Sequence, residues 1–404
     1  MRLPLVMLDR TDASAPELRG RPAPLVFVVD PSGGAAASVP GSYAAVAATG
    51  QALLAGELSQ RFGALGAAVI PLRPEAGGAA PFHWGRWFVR AARAALDDGS
   101  GADGAGGGAV DAIGYAGAGA MALLRDESLD ALLSPVAGEV VANNRFSADA
   151  FVVAFGEGGA AEVLAALDGC PTDNAAPRAL ETAGFAVRDI SAAPFSRFDV
   201  DTPLDLALLR LATRLDGSRA LDGRVAGLLE MAALPGGRSL EVPLLAELGA
   251  VIRDRDAELV IAGRIPAATW QYLESETACR IRAFVEERGM RSARAARPRS
   301  LLARWVEEHG PAGLIAELAT LGDGVVLDSR VLMAALSGSS DAAAWPDEEE
   351  RFASDFGDAG RITTSWLAEL TAAAAAASVP ILMGGHALVS DGLRLIVAAA
   401  WQGR

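Results

Sequence analysis

The chain has 404 residues, of which 51% are hydrophobic, and a formal net charge of −15. That is ample length for two domains and ample apolar material for a large core, so a disordered chain is excluded. The acidic balance argues against non-specific binding to nucleic acid or to an anionic membrane, yet leaves room for a small phosphorylated ligand held by local arginines and backbone N–H groups.

All 35 basic side chains are arginine. A P-loop lysine, a Schiff-base lysine and a lysine general base are thereby excluded. Cys170 and Cys279 lie far apart, with neither zinc spacing nor a disulfide framework. No basic stretch leads into an apolar signal segment, and no window of about 18 apolar residues is free of charge, so a cytoplasmic chain with no membrane partner is expected.

In chain order, Leu25 to Asp30 predicts a strand that empties into the loop Pro31-Ser32-Gly33-Gly34. A Gly-rich loop after a strand presents backbone N–H groups to a ligand. A helix is predicted over 43–62, a strand over 67–72 and a helix over 81–96 carrying Phe82, His83, Trp84, Arg86 and Trp87. Those aromatics beside arginine either stack a ligand or pack on the sheet, and helical spacing favours packing. Residues 97–109 read as a surface loop rich in Asp, Gly and Ser.

Strands follow over 110–115, 139–142, 150–155 and 186–190, with helices over 126–133 and 160–167 between them. Phe198 to Asp201 is extended, and Pro203 opens a helix that Thr202 can cap. This alternation predicts an α/β fold with an open, mostly parallel sheet and helices on both faces, Rossmann-like, over residues 1–215.

A helical connector is expected over 216–237, then a second, smaller α/β or helix-rich domain over 238–404. Its strands are predicted at 259–262, 324–327 and 379–383, and its helices at 267–288 (one or two), 300–321 and 362–377. Residues 291–299 and the acidic stretch 341–361 read as surface.

The richest motif is Arg197-Phe198-Asp199-Val200-Asp201-Thr202-Pro203-Leu204-Asp205-Leu206. Two acids two apart on an extended segment point the same way. Held at the mouth of a helix, they can bind a hard divalent ion; the plainer alternative is a helix cap or a pair with Arg197. This segment resembles the D-x-D/N-T-P-x-D-L close of the GT-A-type nucleotidyltransferases, a group that includes the molybdenum-cofactor and phospholactate guanylyltransferases. Asn143-Asn144-Arg145-Phe146-Ser147-Ala148-Asp149 and Thr172-Asp173-Asn174-Ala175-Ala176-Pro177 are similar, in the right order, to segments of the phospholactate branch.

The resemblance covers roughly residues 20–215. It implies a GT-A fold that moves a nucleotidyl group from a nucleoside triphosphate to a small phosphorylated acceptor, with Mg2+ or Mn2+ on Asp199 and Asp201. It further implies a catalytic Arg145, a nucleotide held at Ser32, Gly33, Gly34, Gly114, Gly117 and Gly119, and an acceptor lined by Asn143, Asn144, Ser147, Asp149, Asp173 and Asn174. The chain departs from that pattern twice. Its Gly-rich loop has no basic residue, and the middle strand ends in Gly114-Tyr115-Ala116-Gly117-Ala118-Gly119 where the family has an acid. The second function to weigh is therefore a nucleotide or nucleotide-sugar binding protein that does not turn over.

A third reading lies in the second half. Strands there end in Gly263-Arg264, Asp328-Ser329-Arg330 and Gly384-Gly385-His386. If these strands are neighbours, Arg264, Asp328, Arg330 and His386 converge as a phosphate or carboxylate site; otherwise they are ordinary strand ends.

Overall fold

A computed structural model describes residues 24–31, 39, 41–73, 82–97, 110–215, 217–287 and 298–402. The loop candidates Ser32, Gly33 and Gly34, and almost all of the expected surface segments 97–109 and 291–299, lie outside the described residues.

The first half runs β1 (Leu25–Val29), α1 (Tyr43–Ala64), β2 (Ala68–Leu72), α2 (Trp84–Asp97), β3 (Ala112–Ala116), α3 (Asp126–Leu132), β4 (Glu139–Ala142), β5 (Ala150–Ala154), α4 (Gly159–Asp168), α5 (Ala176–Thr182), β6 (Ala186–Asp189) and α6 (Pro203–Thr213). Its six strands form one sheet in the order β2-β1-β3-β5-β4-β6. Every neighbouring pair is parallel except the two that involve β5.

Apolar residues run continuously along the central strands β1, β3 and β5 because both faces are covered. Leu25, Phe27, Ile113, Tyr115, Phe151 and Val153 face one side and pack on α2, α4 and α5. Val26, Val28, Ala112, Ala116, Val152 and Ala154 face the other and pack on α1 and α3. Trp84 and Trp87 belong to the first of these layers, where Trp84 stacks on Phe88 at 5.1 Å. Trp84 and Trp87 of α2 are therefore core, as their helical spacing predicts, while Phe82 just before the helix is exposed.

The second half contains α7 (Gly223–Met231), the hairpin strands β7 (Ala233–Leu234) and β8 (Arg238–Ser239), α8 (Pro243–Arg253), β9 (Glu258–Gly263), α9 (Ala267–Glu276), β10 (Arg280–Val285), α10 (Leu301–Thr320), β11 (Gly324–Asp328), α11 (Arg330–Ser337), α12 (Glu348–Asp355), α13 (Ser365–Ala375), β12 (Ile381–Gly384) and α14 (Leu393–Trp401). A parallel four-stranded sheet has the order β10-β9-β11-β12.

Three expectations are corrected. Residues 267–288 are not all helical: α9 ends at Glu276 and β10 follows as an edge strand. Its alternating Arg280, Arg282 and Phe284 leave one face half-exposed, which blurs the apolar signal of a strand. The acidic stretch 341–361 is not mostly surface, because α12 buries Glu350, Phe352, Ala353, Ser354 and Asp355. The helix over 300–321 is broken at Gly310, whose φ of 78° precedes Pro311.

The two sheets are joined by apolar packing. One cluster runs from Tyr43, Val46 and Leu54 on α1 through Leu204 to Leu209 on α6 into Leu259, Val326, Leu382 and Leu395. Glycines allow the closest approach. A β-carbon on Gly384 would come within 2.8 Å of Leu204, and one on Gly392 within 2.8 Å of Leu208. Among the described residues, no helix is long and apolar enough to cross a membrane.

Candidate functional site

Each sheet has a topological switch point, where successive connections leave in opposite directions and a crevice opens at the carboxyl ends of the strands. In the first sheet it lies between β1 and β3, and in the second between β9 and β11. The first crevice ends in Asp30 and Gly117; the second ends in Arg264 and Asp328.

At the first edge, the antiparallel direction of β5 brings Asp149, the residue before it, to the carboxyl end of β3. The Gly117 N–H donates to the Asp149 carbonyl at 2.8 Å. Beyond it, residues 119–121 lie alongside 198–200: Val200 N donates to Gly119 O at 3.2 Å and Met121 N to Phe198 O at 3.2 Å. Only glycine fits at position 119, since a β-carbon would stand 2.3 Å from Val200 O and 2.8 Å from Asp199 Oδ1. Asp199 is thus laid directly against the backbone of the β3 loop.

The neighbours are fixed by a local network. Asn143 is buried; its Oδ1 accepts from Asp149 N at 3.0 Å and Ala150 N at 3.1 Å, and its Nδ2 donates to Asp149 Oδ2 at 3.2 Å and Ser196 O at 3.1 Å. Tyr115 donates its hydroxyl to Asp173 Oδ2 at 3.0 Å, and Asp173 Oδ1 accepts from Asn174 N at 2.9 Å. Ser147 donates to Asn174 Oδ1 at 2.6 Å. Asn144 Oδ1 accepts from Phe146 N at 3.2 Å, closing the turn.

Crowding these carboxyls together has an electrostatic cost. Burial, then Asp173 and Asp201, push Asp149 up to about 7, against the pull of its Asn143 hydrogen bond. Burial, then Asp201, Asp149 and Asp205, hold Asp199 well above the usual carboxylate range. For both groups desolvation leads, and the other influences that raise the value are neighbouring acids.

Downstream, Thr202 caps α6 in a reciprocal box. Its side chain accepts from Asp205 N at 3.2 Å, while Asp205 Oδ2 accepts from Thr202 N at 2.9 Å and Asp201 N at 3.1 Å. The cap expected at Thr202 is present, so neither Asp199 nor Asp201 is needed for it.

Among the described residues, no three His, Cys, Asp or Glu side chains form a metal cage. Magnesium more often takes one or two carboxylates and completes its shell with water and phosphate oxygens. Asp199 and Asp201 would supply that number of protein ligands, and a cation there would neutralise the surrounding carboxylate excess.

Other candidates stand elsewhere. Gly114 is inside β3, where a β-carbon would meet Val152 at 2.8 Å and Val26 at 3.3 Å, so packing accounts for its missing side chain. Arg145 is turned onto Glu181 of α5, with its head 5.8 Å from the Phe146 ring.

At the second edge, β9, β11 and β12 are neighbours, and the strand-end residues come together. Arg264 grips Asp328 with a fork, Nε to Oδ2 at 2.7 Å and Nη2 to Oδ1 at 3.0 Å. Gly263, at φ 137°, makes room, since a β-carbon there would stand 2.3 Å from the Asp328 β-carbon. His386 is exposed and lies within electrostatic reach of Asp328. Arg330 donates to Ser329 Oγ at 3.0 Å and to both oxygens of Asp355 at 2.6 Å. Both guanidinium forks are therefore occupied by internal carboxylates. Asp355 has no signal of its own in the sequence, because it sits in an acid-rich run.

The two edges approach each other across the start of α6. Arg330 and Asp355 are within electrostatic reach of Asp205, and Glu348 is within reach of Asp201. On α12, Glu349 accepts from Tyr43 N and Ala44 N, each at 3.0 Å, and so closes the N-terminus of α1. Compared with known protein families, curated proteins and solved structures, the chain matches none.

Proposed function

We propose that the chain is a divalent-metal-dependent nucleotidyltransferase whose site is the carboxyl edge of the first sheet. The observation that carries this reading is the gathering of Asp149, Asp173, Asp199 and Asp201 beside a backbone shaped by Gly117 and Gly119, with burial and the neighbouring acids raising the proton affinity of Asp149 and Asp199. A protein keeps such repulsion where a ligand relieves it.

In this reading Asp199 and Asp201 hold Mg2+ or Mn2+, and the ion supplies charge neutralisation to nucleotide phosphates. Gly117 leaves backbone open to the nucleotide, and Gly119 lets the Asp199 segment lie against the β3 loop. Asn143 fixes the turn over 143–149, so that Ser147, Asn174 and Asp173 line the acceptor side. The rest is positioning, the main requirement of in-line phosphoryl chemistry.

A second reading is a binding protein for a nucleotide or nucleotide sugar, without turnover. It is favoured by the absence of any basic residue over 30–42 and of an acid in Gly117-Ala118-Gly119. A reading centred on the second edge as an anion site is disfavoured, since Arg264 and Arg330 are already paired.

A calorimetric panel tests this: GTP, CTP, ATP, UTP and two nucleotide sugars, each with and without magnesium or manganese. Metal-dependent binding of one triphosphate is expected. Metal-independent binding of a nucleotide sugar would replace the first reading with the second, and no binding at all would end both.

A further inference from the structure

Several guanidinium groups around the junction of the two edges have internal partners, and Arg197, whose Nε is also buried without a hydrogen-bond partner, lies within electrostatic reach of Asp391. Arg264 is tied to Asp328, and Arg330 to Asp355. Arg238 donates to Phe356 O at 2.6 Å and lies 3.7 Å from Asp358. Arg351 differs. Its Nε is buried with no hydrogen-bond partner, and among the described residues its head makes no ion pair. It lies 5.8 Å from the Trp345 ring centroid, a cation–π contact that holds the head without using its donors.

A buried N–H left without an acceptor costs about 1–3 kcal/mol, so such groups in a folded protein call for an explanation. The place of Arg351 in the fold offers one. It is on α12, the helix that closes the start of α1 through Glu349. One turn before it, on the same helical face, is Glu348, which lies within electrostatic reach of Asp201. Burial, then the neighbouring charge of Arg330, press against the Arg351 cation, and Glu348, Asp355 and Asp347 offset them only in part, so an added anion would help to hold the charge.

We propose that Arg351 is the phosphate-contacting cation of the nucleotide site, a role that rests on the reading given under Proposed function. The second half of the chain then supplies the charge that residues 30–42 lack. A guanidinium suits this task, because its planar fork meets two phosphate oxygens at once.

The test is calorimetry on the full chain with magnesium chloride, using the four nucleoside triphosphates, inorganic tripolyphosphate and the matching nucleosides. Arg351→Gln should weaken the bound triphosphate and tripolyphosphate by the same factor, at least about tenfold, and leave nucleoside affinity unchanged. Arg351→Lys, which keeps the charge and loses the fork, should recover part of that loss. If both variants bind tripolyphosphate as the parent does, the assignment of Arg351 is overturned while the metal-site reading stands. If the loss falls on the nucleoside and spares tripolyphosphate, the assignment is overturned too. If the parent binds no triphosphate, the reading beneath it has failed.

Discussion

Arg330 on α11 and Asp355 on α12 face each other through two parallel hydrogen bonds of 2.6 Å, with almost no solvent on either side chain. Removing one partner leaves the other charge buried and uncompensated. Asp355→Ala and Arg330→Ala should each cost about 3–5 kcal/mol in urea or guanidinium unfolding. Arg330→Met combined with Asp355→Leu should cost clearly less than either single change. Equal losses in the double and the singles would mean that the pair is not what holds α12 to α11.

Gly119 is predicted to be irreplaceable. Alanine there would push its β-carbon into Val200 O and Asp199 Oδ1. Gly119→Ala should therefore displace the 198–201 segment, cost about 1–3 kcal/mol and abolish metal-dependent nucleotide binding. Binding at parental affinity in a folded Gly119→Ala chain would show that Asp199 need not stay where the structure has it.

Asp199 should be a residue that harms stability. Its carboxyl is held against three other acids, so Asp199→Asn removes repulsion at the same volume. The variant should equal or exceed the parent in stability at pH 8, by on the order of 1 kcal/mol, while losing metal-dependent nucleotide binding. Asp201→Asn should lose the same binding. A destabilised Asp199→Asn, measured by thermal unfolding, would assign that side chain to the scaffold instead.

Asp205 gives a pH dependence with a definite sign. Burial, followed by the charge of Asp201, pushes its folded value up to about 7, above the ordinary 3.8. A raised carboxyl binds its proton more tightly in the folded chain. Its contribution to stability is complete below about pH 4 and is lost as pH rises through 7. Asp205→Asn keeps an acceptor for the α6 cap and cannot ionise, so it should flatten the decline in unfolding free energy between pH 5 and 8 by roughly 2–4 kcal/mol. An unchanged slope would place the titration elsewhere.

How much of this was legible beforehand depends on the kind of signal. Strands covered on both faces, such as Leu25–Val29 and Gly324–Asp328, announce themselves as apolar runs. The motif endings at Arg264, Asp328, Arg330 and His386 were readable as strand ends, and their convergence followed once β9, β11 and β12 proved adjacent. Partner choice was not readable. Arg330 could as well have met a ligand as Asp355, because a pairing across 25 residues leaves no local pattern. β10 was missed since an edge strand with arginines on alternate positions resembles the tail of a helix. The direction of β5, which delivers Asp149 to the carboxyl edge, is a property of the pairing and of no residue within the strand.

The burial of α6 bears on how this molecule is made. Pro203 through Leu209 are all buried, and α6 packs on α1, α7 and α14. Its last neighbours are Gly384, Gly392 and α14, far downstream in the chain. During synthesis the helix behind Asp199 and Asp201 is thus left with a bare apolar flank until some 190 further residues have emerged, roughly ten to forty seconds at ordinary elongation rates. A nascent chain halted before β12 would carry the strands of the first sheet with a sticky, half-covered α6, and the acids at its mouth would lack that support.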